Sequence, residues 1–194
     1  MFDVFRTAYE KDPALKGGLG YLEVLFYPGV QAIVLYRISH MLYGLRVPLM
    51  PRAISYFGRF LTGAEIHPAA KIGKNFFIDH ATGVVIGETA EIGDNVMLYH
   101  GVTLGGHGWW KDKKGSKRHP TIEDNVTIGV GAAILGPVTI KKNSRIGALS
   151  VIVDDIPENS TVTCPKGRLK VMEGCYVRFK DPCEACSKEP EWLI

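Results

Sequence analysis

Five histidines in the middle of this chain carry its most evident chemistry. His67, His80, His100 and His119 sit among short apolar segments, and His107 lies in a stretch rich in glycine and lysine. His80 comes directly after Asp79, and His67 is separated from Glu65 by one isoleucine. An imidazole near a carboxylate suits general acid–base work, because it titrates near neutral pH and its partner fixes the tautomer. The same residue types could instead converge on a metal. No H-x-x-x-H or other recognised zinc spacing is present, so no metal is expected. A lone surface histidine is more often a hydrogen-bonded side chain than a catalyst, so the surroundings decide.

Those surroundings repeat every six residues. Ile66, Ile72, Ile78 and Val84 form one run, and after a two-residue slip Ile86, Ile92, Leu98 and Leu104 form the next. The beat resumes at Ile122, Ile128, Ile134, Ile140, Ile146 and Ile152. Four residues behind most anchors stands a small or β-branched residue, such as Ala70, Thr82, Ala90, Val102 or Ala132, with Phe76 as the exception. A period of six fits neither a half-buried strand nor an amphipathic helix. It fits a parallel β-helix of three short strands per coil, each anchor pointing inward and the glycine behind it turning the corner. Fourteen anchors make between four and five coils. His80 and His100 are one coil plus the slip apart, which puts them on the same side of neighbouring coils.

Between Leu104 and Ile122 the beat is broken by a segment with paired tryptophans and five basic residues, Lys111, Lys113, Lys114, Lys117 and Arg118. A charge run is usually a solvated face. This one returns to the scaffold through Arg118-His119-Pro120, and loops leaving a rigid scaffold are where binding concentrates. Ahead of the coils, Val30, Ile33, Val34, Ile38, Met41 and Leu42 keep the spacing of a helix with one buried stripe, and Ile54 to Leu61 reads as a last short helix. Together these form a helical cap. After Thr163 no period is legible. The four cysteines, Cys164, Cys175, Cys183 and Cys186, all lie in this tail, where they read as reduced thiols or, less simply, as a metal site.

Composition narrows the partners. Hydrophobic residues make up 46% and charged residues 22%, a balance that excludes a disordered chain. A net charge of +3 is too even to make nucleic acid or a membrane the main partner. No apolar run reaches membrane-spanning length, and the first residues lack a signal-peptide core, so a cytoplasmic location is expected.

With these residues in view, the chain resembles the serine acetyltransferases. The matching stretches are DPA at 12–14, YPGVQAIVLYRISHML at 27–42, TGAEIHPAAKIG at 62–73, IDHATGVVIGETAEIG at 78–93, GVTLGG at 101–106 and KRHPTI at 117–122. The resemblance implies an α+β chain: a helical cap over 1–61, a left-handed parallel β-helix over 62–163 with a loop at 107–119, and an irregular tail over 164–194. It implies acetyl transfer from acetyl-CoA to the hydroxyl of L-serine, the first step of cysteine biosynthesis. His80 matches the family's catalytic base and Glu65 the acid that orients it. Asp12 and Asp79 match serine-binding acids, and Arg118 and His119 the grip on the serine carboxylate. Gly106, Val130, Arg145 and Ala148 match positions contacting coenzyme A, in a site between neighbouring chains of a homotrimer. In many members L-cysteine competes for the serine site. A terminal isoleucine, here Ile194, docks the family into O-acetylserine sulfhydrylase.

Departures accompany the match. The Gly-Val-Pro-Ala segment that usually closes the last coil is replaced by Val162-Thr163-Cys164-Pro165-Lys166, and the long N-terminal extension that pairs trimers is missing. A trimer is therefore expected rather than a hexamer. Two alternatives stay open at this level: acetylation of another small hydroxyl compound, such as homoserine or a sugar, and a regulatory scaffold that only docks the sulfhydrylase.

Overall fold

Side chains of the helical cap seal the lower edge of the coils. The computed structural model describes residues 2–12, 22–108, 115–164, 169–173 and 176–180. The cap comprises α1 (Phe2–Lys11), a 3-10 turn (Val24–Phe26), α2 (Pro28–Gly44) and α3 (Met50–Thr62). Pro28 and Pro51 stand in the first turns of α2 and α3, where the missing N–H costs nothing, and α3 stops at Gly63 with φ 75°. Along the strands each coil donates backbone N–H groups to the carbonyls of the next, as from Glu65 to Val84 and from Phe77 to Val96. First-coil carbonyls such as those of Ile66 and Ala70 are thereby left over. Ser55 Oγ donates to the Ile66 carbonyl at 2.6 Å and Tyr36 Oη to the Ala70 carbonyl at 2.6 Å, so cap side chains stand in for a missing coil.

The coils form three parallel sheets. Sheet A contains β1 (Glu65–Ile66), β4 (Val85–Ile86), β7 (Thr103–Gly105), β10 (Ala133–Leu135) and β13 (Val151–Ile152), stacked in that order. Sheet B contains β2 (Lys71–Ile72), β5 (Glu91–Ile92), β8 (Thr121–Ile122) and β11 (Thr139–Ile140). Sheet C contains β3 (Phe77–Ile78), β6 (Met97–Leu98), β9 (Thr127–Ile128), β12 (Arg145–Ile146) and β14 (Thr161–Val162). Ile156 bridges Ile140 and gives sheet B a fifth rung. The result is a left-handed parallel β-helix under a helical cap. Ile72 is half-buried, and the other strand anchors up to Ile152 are buried. Each buried anchor contributes roughly 1.5–3 kcal/mol.

Four expectations change. Val84 is not an anchor: it is a buried companion of Ile86, in line with Val102 before Leu104, and Thr82 is exposed. The slip therefore lies earlier, inside the corner at 79–83. Second, the glycines behind the isoleucines do not turn the corners by a left-handed backbone. At Gly129 a Cβ would stand 2.7 Å from the Ala148 amide, so glycine there allows close stacking. The corner between sheets B and C is turned by Asn75, Asn95, Asn125, Asn143 and Asn159, with φ between 53° and 60°. Their side chains form a ladder with steps of 2.9, 3.1, 3.1 and 3.0 Å.

Third, the buried stripe of α2 is Gly29, Val30, Ala32, Ile33, Tyr36 and Ser39, while Met41 is exposed. Small residues won because α2 lies almost on the coils: a Cβ at Gly29 would overlap the Ile78 carbonyl. Fourth, the tail is not wholly irregular. β15 (Leu169–Glu173) and β16 (Tyr176–Lys180) pair as an antiparallel hairpin, in segments rich in β-formers. Cys164 is a free thiol, and the other three cysteines lie outside the described residues.

Candidate active site

His80 owes its position to an insertion. The Asp79 amide donates to the Leu98 carbonyl, which aligns Asp79 with Tyr99. The Gly101 amide donates to the Thr82 carbonyl, which aligns Thr82 with His100. Two residues remain unmatched in the next coil, His80 and Ala81, and both are left-handed, with φ 60° and 57°. They bulge from the corner between sheets C and A, a conformation costly for a residue with a Cβ. The His80 side chain is 76% exposed. Its Nε2 lies 3.8 Å from Asp79 Oδ1, and its ring meets the ring of His100 edge-on, with centroids 5.8 Å apart at 77°.

The cap brings a second acid to this corner. Asp12 directly follows α1, and its carboxylate accepts the hydroxyl of Tyr27. That hydrogen bond, with burial and the charges of Asp12, Glu23 and Asp79, pushes the Tyr27 hydroxyl up to about 12. Burial and then Asp79 also raise Tyr99. Asp12, Tyr27, Asp79, His80 and Tyr99 thus share one corner. Glu65 is engaged elsewhere. Its carboxylate pairs with Arg59, from the last turn of α3, at 2.8 Å, in place of the His80 contact the sequence led us to expect.

Arg118 and His119 lie on a different corner, between sheets A and B. Arg118 Nη2 donates to Glu88 Oε2 at 2.6 Å, and this bond holds the Glu88 carboxyl below its usual range. His119 is buried, in space left by Gly87, where a Cβ would overlap its ring. The Thr89 amide donates to His119 Nδ1 at 3.1 Å, and Thr89 Oγ1 lies 2.9 Å from the same nitrogen. Thr89 Oγ1 itself accepts the amides of Arg118 and His119, each at 3.0 Å. Nδ1 is therefore an acceptor, and the neutral ring carries its proton on Nε2. His67 is held low by burial first, then by Arg52, against the opposing pull of Glu88.

Of the expected coenzyme A positions, Val130 and Ala148 stack on the His80 corner: Gly131 donates to the His100 carbonyl and Leu149 to the Val130 carbonyl. Gly106 follows β7, where the loop departs, and Arg145 is exposed on sheet C. Ile194 lies outside the described residues. The sequence reading missed Glu88, Thr89 and Tyr27 as partners. The loop hides the register that stacks 88–89 against 118–119, and nothing periodic links Tyr27 to Asp12. Among the described residues no three His, Cys, Asp or Glu side chains gather as a metal-binding group, and no helix is long and apolar enough to cross a membrane.

Residues 119–154 match the family "Bacterial transferase hexapeptide (six repeats)". A serine acetyltransferase of Synechococcus elongatus is 50% identical over 89% of this chain and 68% of its own length. That of Bacillus subtilis is 49% identical over 89% of this chain and 76% of its own. This chain belongs to the serine acetyltransferase family. Members are acyltransferases that use acetyl-CoA. Solved structures agree: serine acetyltransferase isoform 3 of Entamoeba histolytica, in complex with cysteine, superposes with a TM-score of 0.81 at 38% identity, over 89% of this chain. The serine acetyltransferase of Neisseria gonorrhoeae, in complex with serine, has a TM-score of 0.75 at 38% identity, over 91% of this chain. The chain spans 60% and 66% of those two structures.

Proposed function

We propose that this chain transfers the acetyl group of acetyl-CoA to the hydroxyl of L-serine, giving O-acetyl-L-serine and coenzyme A. The observation that carries the reading is the corner that combines His80 with two acids, Asp79 and Asp12, in a chain half identical to serine acetyltransferases. A serine hydroxyl is a weak nucleophile at neutral pH and needs a base within hydrogen-bond reach. His80 takes the hydroxyl proton as the oxygen attacks the thioester carbon, and returns it to the departing thiolate. Asp79 and Asp12 suit the substrate ammonium. Acetyl-CoA runs along the same corner past Val130 and Ala148, with Gly106 and Arg145 as further contacts.

Arg118 and the Nε2–H of His119 suit the substrate carboxylate. They stand on another corner of the same chain, so the complete site forms between chains of a homotrimer. The apolar outer face of sheet A, with Val85 and Val151 exposed, fits such contacts. The same carboxylate grip suits L-cysteine, and a related Entamoeba enzyme is solved in complex with cysteine, so competition against serine is expected.

The test is release of free thiol from acetyl-CoA. L-serine should be strongly preferred over homoserine or a galactoside, and His80→Ala should lower turnover by about 100- to 10,000-fold with acetyl-CoA binding kept. Near-normal turnover in that variant would refute the reading.

A further inference from the structure

We propose that Thr89 is a positioning residue for Arg118 and His119, and that its hydroxyl sets the selectivity for a substrate with a free carboxylate. This inference rests on the assignment of Arg118 and His119 to the substrate carboxylate. Both residues stand where the loop re-enters the scaffold, and a loop end needs a fixed partner before it can present two side chains together. Thr89 supplies that partner from the coil below. Its Oγ1 accepts the amides of Arg118 and His119, each at 3.0 Å. Its carbonyl accepts Lys117 Nζ at 2.7 Å. Lys117, Arg118 and His119 are therefore all tied to one residue. Glu88 holds the Arg118 guanidinium at 2.6 Å, whereas the backbone beneath it is held by Thr89.

The same hydroxyl fixes the imidazole. With both lone pairs engaged by amides, Oγ1 has its hydrogen left to donate, and His119 Nδ1 lies 2.9 Å away. The Thr89 amide donates to the same nitrogen at 3.1 Å. Two donors on Nδ1 exclude a proton there, so the neutral ring carries its hydrogen on Nε2 and is a donor toward an anion. The ring is buried and lies flush against Gly87, where a Cβ would overlap it. All these bonds lie within one chain, so they hold independently of the chain that completes the site. Serine keeps its carboxylate through the whole reaction. A grip on that group stabilises ground state and transition state alike, and loosening it raises KM rather than lowering kcat.

Two variants, two substrates and one spectrum test this. Thr89→Val keeps the shape and the backbone amide but removes the hydroxyl, whereas Thr89→Ser keeps it. Thr89→Val should raise KM for L-serine by about 10- to 100-fold, with KM for acetyl-CoA within about twofold, and Thr89→Ser should stay within about threefold of wild type. L-serinamide, which has the hydroxyl and the ammonium but no carboxylate, is the diagnostic substrate. The preference for L-serine over L-serinamide should shrink in Thr89→Val and persist in Thr89→Ser, whereas damaged folding would lower both substrates together. In nitrogen NMR spectra of the wild-type protein, His119 should show a protonated Nε2 and an unprotonated Nδ1, a readout that needs no variant to fold. Unchanged selectivity in Thr89→Val, equal losses on the two substrates, an equal loss in Thr89→Ser, or a wild-type His119 protonated at Nδ1 would each overturn the proposal. If the wild type acetylates L-serine while any of these holds, only the role of Thr89 falls. A wild type without transfer to L-serine overturns the proposed function and this inference with it.

Discussion

Hydrogen bonds at single residues set how the two corners would hold substrate. Tyr27 donates to Asp12, one of the two acids suited to the serine ammonium. Tyr27→Phe should therefore raise KM for serine by about tenfold, as for loss of a hydrogen bond to a charged group, with little change in KM for acetyl-CoA. Equal effects on both substrates would place Tyr27 outside serine binding. At the other corner, burial holds His67 below its ordinary 6.5 and Arg118 holds Glu88 below 4.5. The signs agree. Below about pH 6.5 the unfolded chain takes up a proton that folded His67 resists, and below about 4.5 it takes up one that folded Glu88 resists. Stability should thus fall on acidification in two stages. His67→Asn should flatten the first in thermal melts between pH 7.5 and 5.5; an unchanged slope would count against it. The placement of the site residues is only half legible in the sequence. The His80–His100 neighbourhood follows from the coil length, whereas the role of Glu65 is implied by the family resemblance alone, and neither the resemblance nor the repeat pattern points to its pairing with Arg59 on a helix.

At the scale of elements, the hexapeptide beat revealed the β-helix but misplaced its first two-residue slip. Val84 and Ile86 are both buried and apolar, so the slip could be read after either. Backbone register puts it at His80 and Ala81, at the corner of the proposed site. The asparagine ladder is hidden for a related reason: its spacings of 20, 30, 18 and 16 residues follow no fixed period. Asn125 sits in its middle, with φ 59° and side-chain bonds to Asn95 and Asn143. Asn125→Ala should cost about 2–3 kcal/mol, combining left-handed strain with lost side-chain bonds, whereas Asn125→Gly should cost less because it removes the strain. Chemical denaturation of the two variants distinguishes these terms, and an alanine variant as stable as glycine would show that the ladder, not the backbone, dominates.

Across the whole molecule, many large apolar side chains among the described residues face outward. Leu149 and Val151 are 68% and 66% exposed beside the His80 corner. On α3 the small residues Ser55, Gly58 and Thr62 face inward while Tyr56, Phe57 and Phe60 face out. The two halves of the proposed site are likewise separated within one chain. His80, Asp79 and Asp12 share the corner between sheets C and A, and Arg118 and His119 the corner between A and B. The proposed assembly accounts for both features, since a threefold ring of this kind sets one corner of each chain against the other corner of its neighbour.

Complementation tests that claim most directly. Chains carrying His80→Ala and chains carrying Arg118→Ala with His119→Ala would be co-expressed, and thiol release from acetyl-CoA with L-serine measured on the mixed oligomers. Each variant alone should be nearly inactive. Random mixing should restore about a quarter of the wild-type sites, because one site in four takes its intact base and its intact carboxylate grip from different chains. Mixed preparations no more active than the separate variants would contradict a site shared between the two corners.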